Sequence, residues 1–324
     1  MRNRAVKMVA AYLLTILFLL FLNFLLPRLL PGDAIIAMYS GHEMAMTEEV
    51  YEELVRMHGL DLPLHEQFLT YITQLAHGDL GYSYISNAPT AELIMGALPW
   101  TLLLVGTSFI LSAIAGIVLG VESSWRRGGR FDRSLLTFML LLDGIPSLAL
   151  GIMALMIFCL HFGWFPSTGA MTPYSGAEGI GHIKDVLWHL VLPLATLTLS
   201  MIPGDYLLIR NSMMLTIREP YVLTARAKGI KKRRIKYLHA ARNAILPFST
   251  RIGIRIAYII TGALFIEKIF AYPGLGCLTY SAISNRDLPL MQGILTVSVL
   301  IVLLINIVVD MMYKKIDPRV ENAY

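Results

Sequence analysis

Charge is scarce in this sequence. Only 15% of its 324 residues are Asp, Glu, Lys or Arg, against roughly 25% in an ordinary soluble domain. With 56% hydrophobic residues, too little polar surface remains to coat one globule, so a single water-soluble domain is excluded and a bilayer is the natural solvent. Cysteine is nearly absent as well. Cys159 lies in an apolar run and Cys277 in a predicted loop, and without a CxxC spacing neither a disulfide framework nor a thiolate metal knuckle is indicated. Also missing are GxxxxGK[ST], HExxH and GxSxG, the patterns that cradle phosphates, bind zinc or expose a nucleophile. The glycines at 274 and 276, and at 176, 179 and 181, are isolated turn signals. Covalent catalysis and nucleotide binding by this chain are therefore excluded.

Long apolar stretches are what the sequence has in plenty. A helix crossing a ~30 Å hydrocarbon core needs about 20 apolar residues, and six stretches qualify: Met8–Leu26, Leu98–Val121, Leu135–Phe162, Leu187–Leu208, Ile252–Phe270 and Leu290–Met311. The first follows a basic stub (Arg2, Arg4, Lys7). Its apolar run exceeds a signal core and no small-residue cleavage site follows, so it reads as a retained anchor. With residue 1 inside the cell, the inner segments hold 22 of the 27 Lys and Arg residues, a strong positive-inside bias. Ten acids fall in residues 27–97, on the outer side. The expected fold is an all-α membrane protein with six transmembrane helices, cytoplasmic N- and C-termini and an external segment between spans one and two. Residues 1–97 form the anchor and external segment, 98–312 a five-helix core with a cytoplasmic loop at about 209–251, and 313–324 a tail.

That loop contains "YVLTARAKGIKKRRIKYLHAARNAILP" (221–247), with eight cations and no acid. Pro220 in a first turn and Gly229 as a stop predict one short helix. "KKRRIKYLHAARNAI" predicts a second, ended by Pro247. Ala225, Ala227 and Gly229 cluster at the bend, where another backbone has room to approach. Cations at a membrane surface also meet anionic headgroups, each at about 1 kcal/mol. Nucleic acid is not indicated, because no recognition fold accompanies the charge.

"ARAKG" followed by "HAARNAILP" resembles the cytoplasmic loop of ABC-transporter permeases in the branch that imports dipeptides, oligopeptides or nickel. "RLLPGD" (28–33), "HGLDLPLHEQFLTYITQLAHGDLGYSY" (58–84), "EKIFAYPGLGCLTYSAISNRDLPLMQG" (267–293) and "VDMMYKKIDPRV" (309–320) extend the resemblance along nearly the whole chain, in order. It implies an inner-membrane, multi-pass permease of a bacterial or archaeal cell. The implied partners are a second, similar permease, two cytoplasmic ATPase subunits that hold ATP and Mg, and an external substrate-binding protein. The implied cargo is a small peptide, with nickel or a metal chelate as the alternative. It further implies that Glu219–Gly229 is the helix seated on the ATPase, with Glu219, Tyr221, Ala225, Ala227, Lys228 and Gly229 at the contact. The shorter general motif begins Glu-Ala-Ala, whereas Leu223, Thr224 and Ala225 stand at that register here.

Carboxylates at bilayer depth are costly and usually face a pathway or a partner. Asp143 adjoins "GIP" (144–146), which is expected to break or kink span three; it lines a pathway or braces the bent backbone. Asp205 follows a second expected break, "IPG" (202–204), and either lines the pathway or is solvated or paired with Arg210. Glu267, Pro273 and Asp287 belong to the expected external gate, where Glu267 gates or braces. His42, Met44 and Met46 form a soft set of metal donors, yet methionine is equally an adaptable packing residue, and no metal site is assigned. The acidic block at 47–76 reads as small amphipathic helices outside the membrane. A stand-alone secondary transporter would show inverted halves with paired broken helices, and no internal repeat is present. A membrane-anchored scaffold leaves six spans and buried carboxylates unexplained.

Overall fold

The computed structural model describes residues 2–29, 35, 47–57, 59–83, 85–176, 178–248 and 263–316. In chain order its helices begin with α1 (Arg2–Leu29), α2 (Glu48–Met57) and α3 (Leu64–Ala76). A short antiparallel hairpin follows, β1 (Tyr82–Ser83) and β2 (Ala88–Pro89), with Tyr82 opposite Pro89 and Ser83 opposite Ala88. Then come α4 (Thr90–Trp125), α5 (Arg130–Asp143), α6 (Ser147–His161), α7 (Ile180–Thr216) and α8 (Pro220–Ala227). Helix α9 is built from Lys232–Arg234, a π-helical Ile235–Ala241 and Arg242–Ala244. Helices α10 (Leu275–Ser284) and α11 (Leu288–Ile316) close the described chain.

Among the described residues, α4, α7 and the Leu288–Val308 part of α11 are long and apolar enough to cross a membrane, and the α5–α6 pair adds a fourth candidate. The expected first span falls in α1, with Ala10–Leu25 as its apolar part. Most of the expected fifth span lies outside the described residues, as do His42, Met44 and Met46. Helix α4 has 36 residues, a length of about 54 Å, so it overshoots the hydrocarbon core. Large apolar side chains such as Leu14, Ile110, Leu141 and Leu160 stand exposed. That arrangement is costly in water and neutral against lipid tails.

The proline signals behave differently from one another. Across Gly144–Pro146 the chain turns by 96° between α5 and α6. Pro146 lacks an amide hydrogen and biases Ile145 out of the helical region, so the ladder stops. The expected break at "IPG" does not occur: α7 runs unbroken for 37 residues with Pro193 and Pro203 inside it. Ile202, Pro203, Asp205 and Tyr206 are all buried there, and packing on both sides of Pro203 carries the turn despite the lost backbone bond. Pro247 does not end α9 either. The break falls at Ile245, and residues 246–248 are helical again, with proline in a first turn, where its missing N–H costs nothing. Cys277, expected in a loop, sits in the first turn of α10.

Two compact units divide the chain. The first joins Met1–Pro99 to Leu278–Ile305. In it, Phe24 of α1 packs edge-on against Phe68 of α3 at 5.2 Å. The Asn23 amide donates to Thr296 Oγ1 at 2.6 Å and to the Gln292 carbonyl at 3.0 Å, which ties α1 to α11. The second unit, Trp100–Cys277 with Asn306–Tyr324, has separate cores. One gathers Leu104, Leu190, Leu197, Ile266, Phe270 and Tyr272. Another gathers Val121, Ile209, Met213, Val222, Ile235 and Phe248.

Candidate functional site

Helix α8 begins with Pro220 at its first position and is followed by Gly229 at φ +70°. That left-handed conformation suits glycine. It lets the Ile230 N–H reach back to the Ala225 carbonyl at 3.2 Å and close the helix end. Val222 is fully buried and Ala225 is 5% exposed. Both pack into the core formed by Val121 of α4, Ile209 and Met213 of α7, and Ile235, Ala240, Ala241 and Ala244 of α9. Burying Val222 alone contributes about 2 kcal/mol. A hydrogen bond from Asn243 Nδ2 to Tyr221 Oη, 2.7 Å long, fastens α8 to α9. The opposite face is bare: Glu219, Tyr221, Leu223, Ala227, Lys228 and Gly229 are exposed. Five of the six predicted contact residues therefore share the outer side, while Ala225 faces inward and seats the helix on its own chain. Leu223, at 53% exposure, joins the outer face without having been singled out from sequence.

Beneath this elbow lies a polar knot that sequence reasoning missed. Asp132, in the first turn of α5, forms a two-pronged ion pair with Arg210 of α7: Nε to Oδ1 at 2.8 Å and Nη2 to Oδ2 at 2.9 Å. The Ser123 hydroxyl donates to Oδ1 at 2.5 Å, and the Gly128 N–H to Oδ2 at 3.0 Å. Ser123 also bonds the Tyr206 hydroxyl at 2.6 Å. Asp132 is 2% exposed. A carboxylate this deep is tolerated only when a fixed cation and several donors replace its water. Arg210, one of the alternatives for Asp205, is thus taken by Asp132. The available signal was a single acid in the strongly basic stretch "RRGGRFDR" (126–133).

Asp205 is buried where α4 and α7 cross. A Cβ added at Gly116 would stand 2.3 Å from the Asp205 Cβ, and one at Gly120 would stand 2.9 Å from the Ile209 Cβ. "GIVLG" (116–120) is a small-xxx-small pattern that lets two membrane helices approach backbone to backbone. Asp143, by contrast, is exposed as the last residue of α5, at the 96° bend.

Glu267 follows a different plan. It is fully buried and accepts from Thr101 Oγ1 at 2.7 Å and from the N–H groups of Gly276 and Cys277 at 2.6 and 3.2 Å. Thr101 accepts in turn from the Leu275 N–H at 2.7 Å. The carboxylate therefore satisfies the first turn of α10, a place where free N–H groups and the helix dipole favour negative charge. Glycine is required beside it, because a Cβ at Gly274 would lie 2.4 Å from the Glu267 carboxyl carbon. Pro273 is exposed at this turn. In the other unit, Asp287 is buried ahead of α11, accepting from the Leu290 N–H at 3.2 Å and from the Ser83 hydroxyl. Both acidic gate candidates accept hydrogen bonds from backbone N–H groups of their own units.

Comparison with known proteins places this geometry in context. Residues 112–322 match the family described as binding-protein-dependent transport system inner membrane component. The chain is 34% identical over 319 residues to the di/tripeptide transport system permease protein DppB of Pseudomonas aeruginosa (strain UCBPP-PA14), covering 93% of each. It is 32% identical over 301 residues to the oligopeptide transport system permease protein AppB of Bacillus subtilis (strain 168), again covering 93% of each. Among solved structures, an inward-facing form of the MetNI methionine ABC transporter aligns with a TM-score of 0.55 at 18% identity, covering 69% of this chain and 96% of that one. That likeness is one of fold.

Proposed function

Since this chain belongs to the binding-protein-dependent transport system inner membrane components and is the permease subunit of an ABC importer, we propose that it carries small peptides inward, with both termini and the α8–α9 elbow in the cytoplasm. The relatives named for di-, tri- and oligopeptides favour peptide over nickel or a metal chelate. The assembly proposed around it has a second, similar permease, two ATPase subunits that bind ATP and Mg, and an external binding protein that delivers cargo. Six spans are proposed, the first within α1 and the fifth through residues 252–270.

One observation carries the mechanical part. Helix α8 is fixed from below by Val222 and Ala225 to the ends of α4 and α7, while Glu219, Tyr221, Leu223, Ala227, Lys228 and Gly229 form its exposed side. A push on that side moves the spans, because the helix has no independent freedom beneath it. The ATPase supplies the push as it closes on nucleotide, and its cleft receives the exposed side. Asp143, exposed at the α5–α6 bend, is the proposed pathway carboxylate, suited to a cationic peptide terminus. Asp205 serves the α4–α7 crossing.

The test is Gly229→Val in the assembled transporter. A β-branched residue is strained at φ +70°, and its bulk also meets the ATPase. Peptide uptake is expected to fall by at least about tenfold, the equivalent of 1.4 kcal/mol, while membrane insertion and the amount of permease stay unchanged. Unaltered uptake, or transport in membranes lacking every partner ATPase, overturns the reading.

A further inference from the structure

A cavity of about 470 Å³ opens where α4 ends and α9 begins, lined by Glu122, Trp125, Arg126, Lys232, Arg233, Lys236 and Tyr237. Its charge is unbalanced. Glu122 is the only acid in the lining, and Lys236 and the Tyr237 hydroxyl already bond it. Burial works against the Lys236 charge, but its bonds to Glu122 and Tyr237 outweigh burial and hold its pKa above the ordinary lysine value. Arg126 stands 3.4 Å from the other Glu122 oxygen and keeps 60% of its side chain exposed. Lys232 and Arg233 are exposed, and among the described residues neither forms an ion pair. One carboxylate thus faces four cations, three of them turned outward.

The surroundings indicate what those cations meet. Trp125 and Tyr237 are amphipathic rings of the kind that settle at headgroup depth, and they sit at the end of a membrane-length helix. The Arg126 guanidinium lies 5.2 Å from the centre of the Phe131 ring. Phe131 and, two turns on, Phe138 are 42% and 55% exposed, making an apolar strip on α5 that starts beside the cations. A fork-shaped guanidinium and lysine point charges match phosphate oxygens, and the apolar strip matches a hydrocarbon tail.

We propose that this cavity binds the phosphodiester headgroup of an anionic phospholipid, with Arg126, Lys232 and Arg233 around the phosphate and the Phe131–Phe138 strip along an acyl chain. The site adjoins α8, whose Arg226 guanidinium lies 5.6 Å from the centre of the Trp125 ring, but none of its lining residues belongs to α8. It requires only that the end of α4 lie at a membrane surface, so it stands whether or not the coupling reading does.

The experiment titrates the assembled transporter, purified in detergent, with fluorescent short-chain phosphatidylglycerol and with the matching phosphatidylcholine. Lys232→Gln combined with Arg233→Gln is expected to weaken phosphatidylglycerol binding about 30-fold, from roughly 1 kcal/mol per surface cation, with phosphatidylcholine unaffected. Arg234→Gln, on the same helix but outside the cavity, is expected to change it by no more than about fivefold, the contribution of one surface cation, far less than the double variant. Inorganic phosphate at equal concentration should not displace the lipid. Three results overturn the proposal: equal loss in Arg234→Gln, displacement by inorganic phosphate, or loss of ATPase subunits from the double variant with lipid affinity intact.

Discussion

Asp132 and Glu267 are carboxylates withdrawn from solvent within the same unit, and they are held in opposite ways. Asp132 faces a guanidinium at two points, with a hydroxyl and a backbone N–H besides. Glu267 is met by one hydroxyl and two backbone N–H groups at the start of α10, and among the described residues it forms no ion pair. Asp132 is neutralised by a partner from a distant helix, so it welds helices together. Glu267 is neutralised by local dipoles, so it shapes a turn. A buried acid in this protein is therefore read by its donors, and the two sites should respond differently to the same kind of substitution.

The largest effect is expected from Arg210→Met. It leaves Asp132 buried without its cation, a cost of about 3–5 kcal/mol, to be measured as reduced thermal stability of the assembled transporter in detergent. Asp132→Leu together with Arg210→Met should recover most of that loss, since an apolar pair can replace a buried ion pair. If Arg210→Met is as stable as the parent, Asp132 needs no cation and the contrast with Glu267 disappears. Next in size is Glu267→Ala, which strands the Gly276 and Cys277 N–H groups and should cost roughly 1–3 kcal/mol. Glu267→Gln should cost less, because an amide oxygen still accepts from the backbone. Faster hydrogen exchange in the first turn of α10 is the readout, and a Gln variant no better than Ala would mean that charge, not the accepting geometry, matters there. The smallest effect is expected at the elbow. Tyr221→Phe removes the acceptor for Asn243, at about 1 kcal/mol or less for a solvent-exposed bond. It should appear as slightly faster exchange in α8, and no change at all would show that the apolar seat alone holds that helix.

Much of the architecture was legible before any coordinates. Apolar length marked helices long and apolar enough to cross a membrane, and Pro220 and Gly229 marked both ends of α8. The acidic block at 47–76 became α2 and α3. The site was legible only in part. Asp143 and Asp205 drew notice because each adjoins a proline-bearing tripeptide, yet Pro146 stops its helix and Pro203 does not. The difference lies in packing, not in the tripeptides "GIP" and "IPG". Asp132 drew no notice, because the partner that explains it is 78 residues away. "GIVLG" was readable as a close-approach pattern, but nothing in it says that Asp205 and Ile209 are what it approaches.

The sequence by itself determined the solvent, the helical stretches and the local stops, because these follow from transfer free energy and backbone sterics acting over a few to twenty residues. It also determined the family, through motifs in order along nearly the whole chain. Only the tertiary structure decided which face of α8 is seated and which is bare, which acid is paired with an arginine and which caps a turn, and which cations are left over beside Trp125. Those outcomes depend on side chains far apart in the chain meeting within about 3 Å of one another, the range in which a hydrogen bond replaces water.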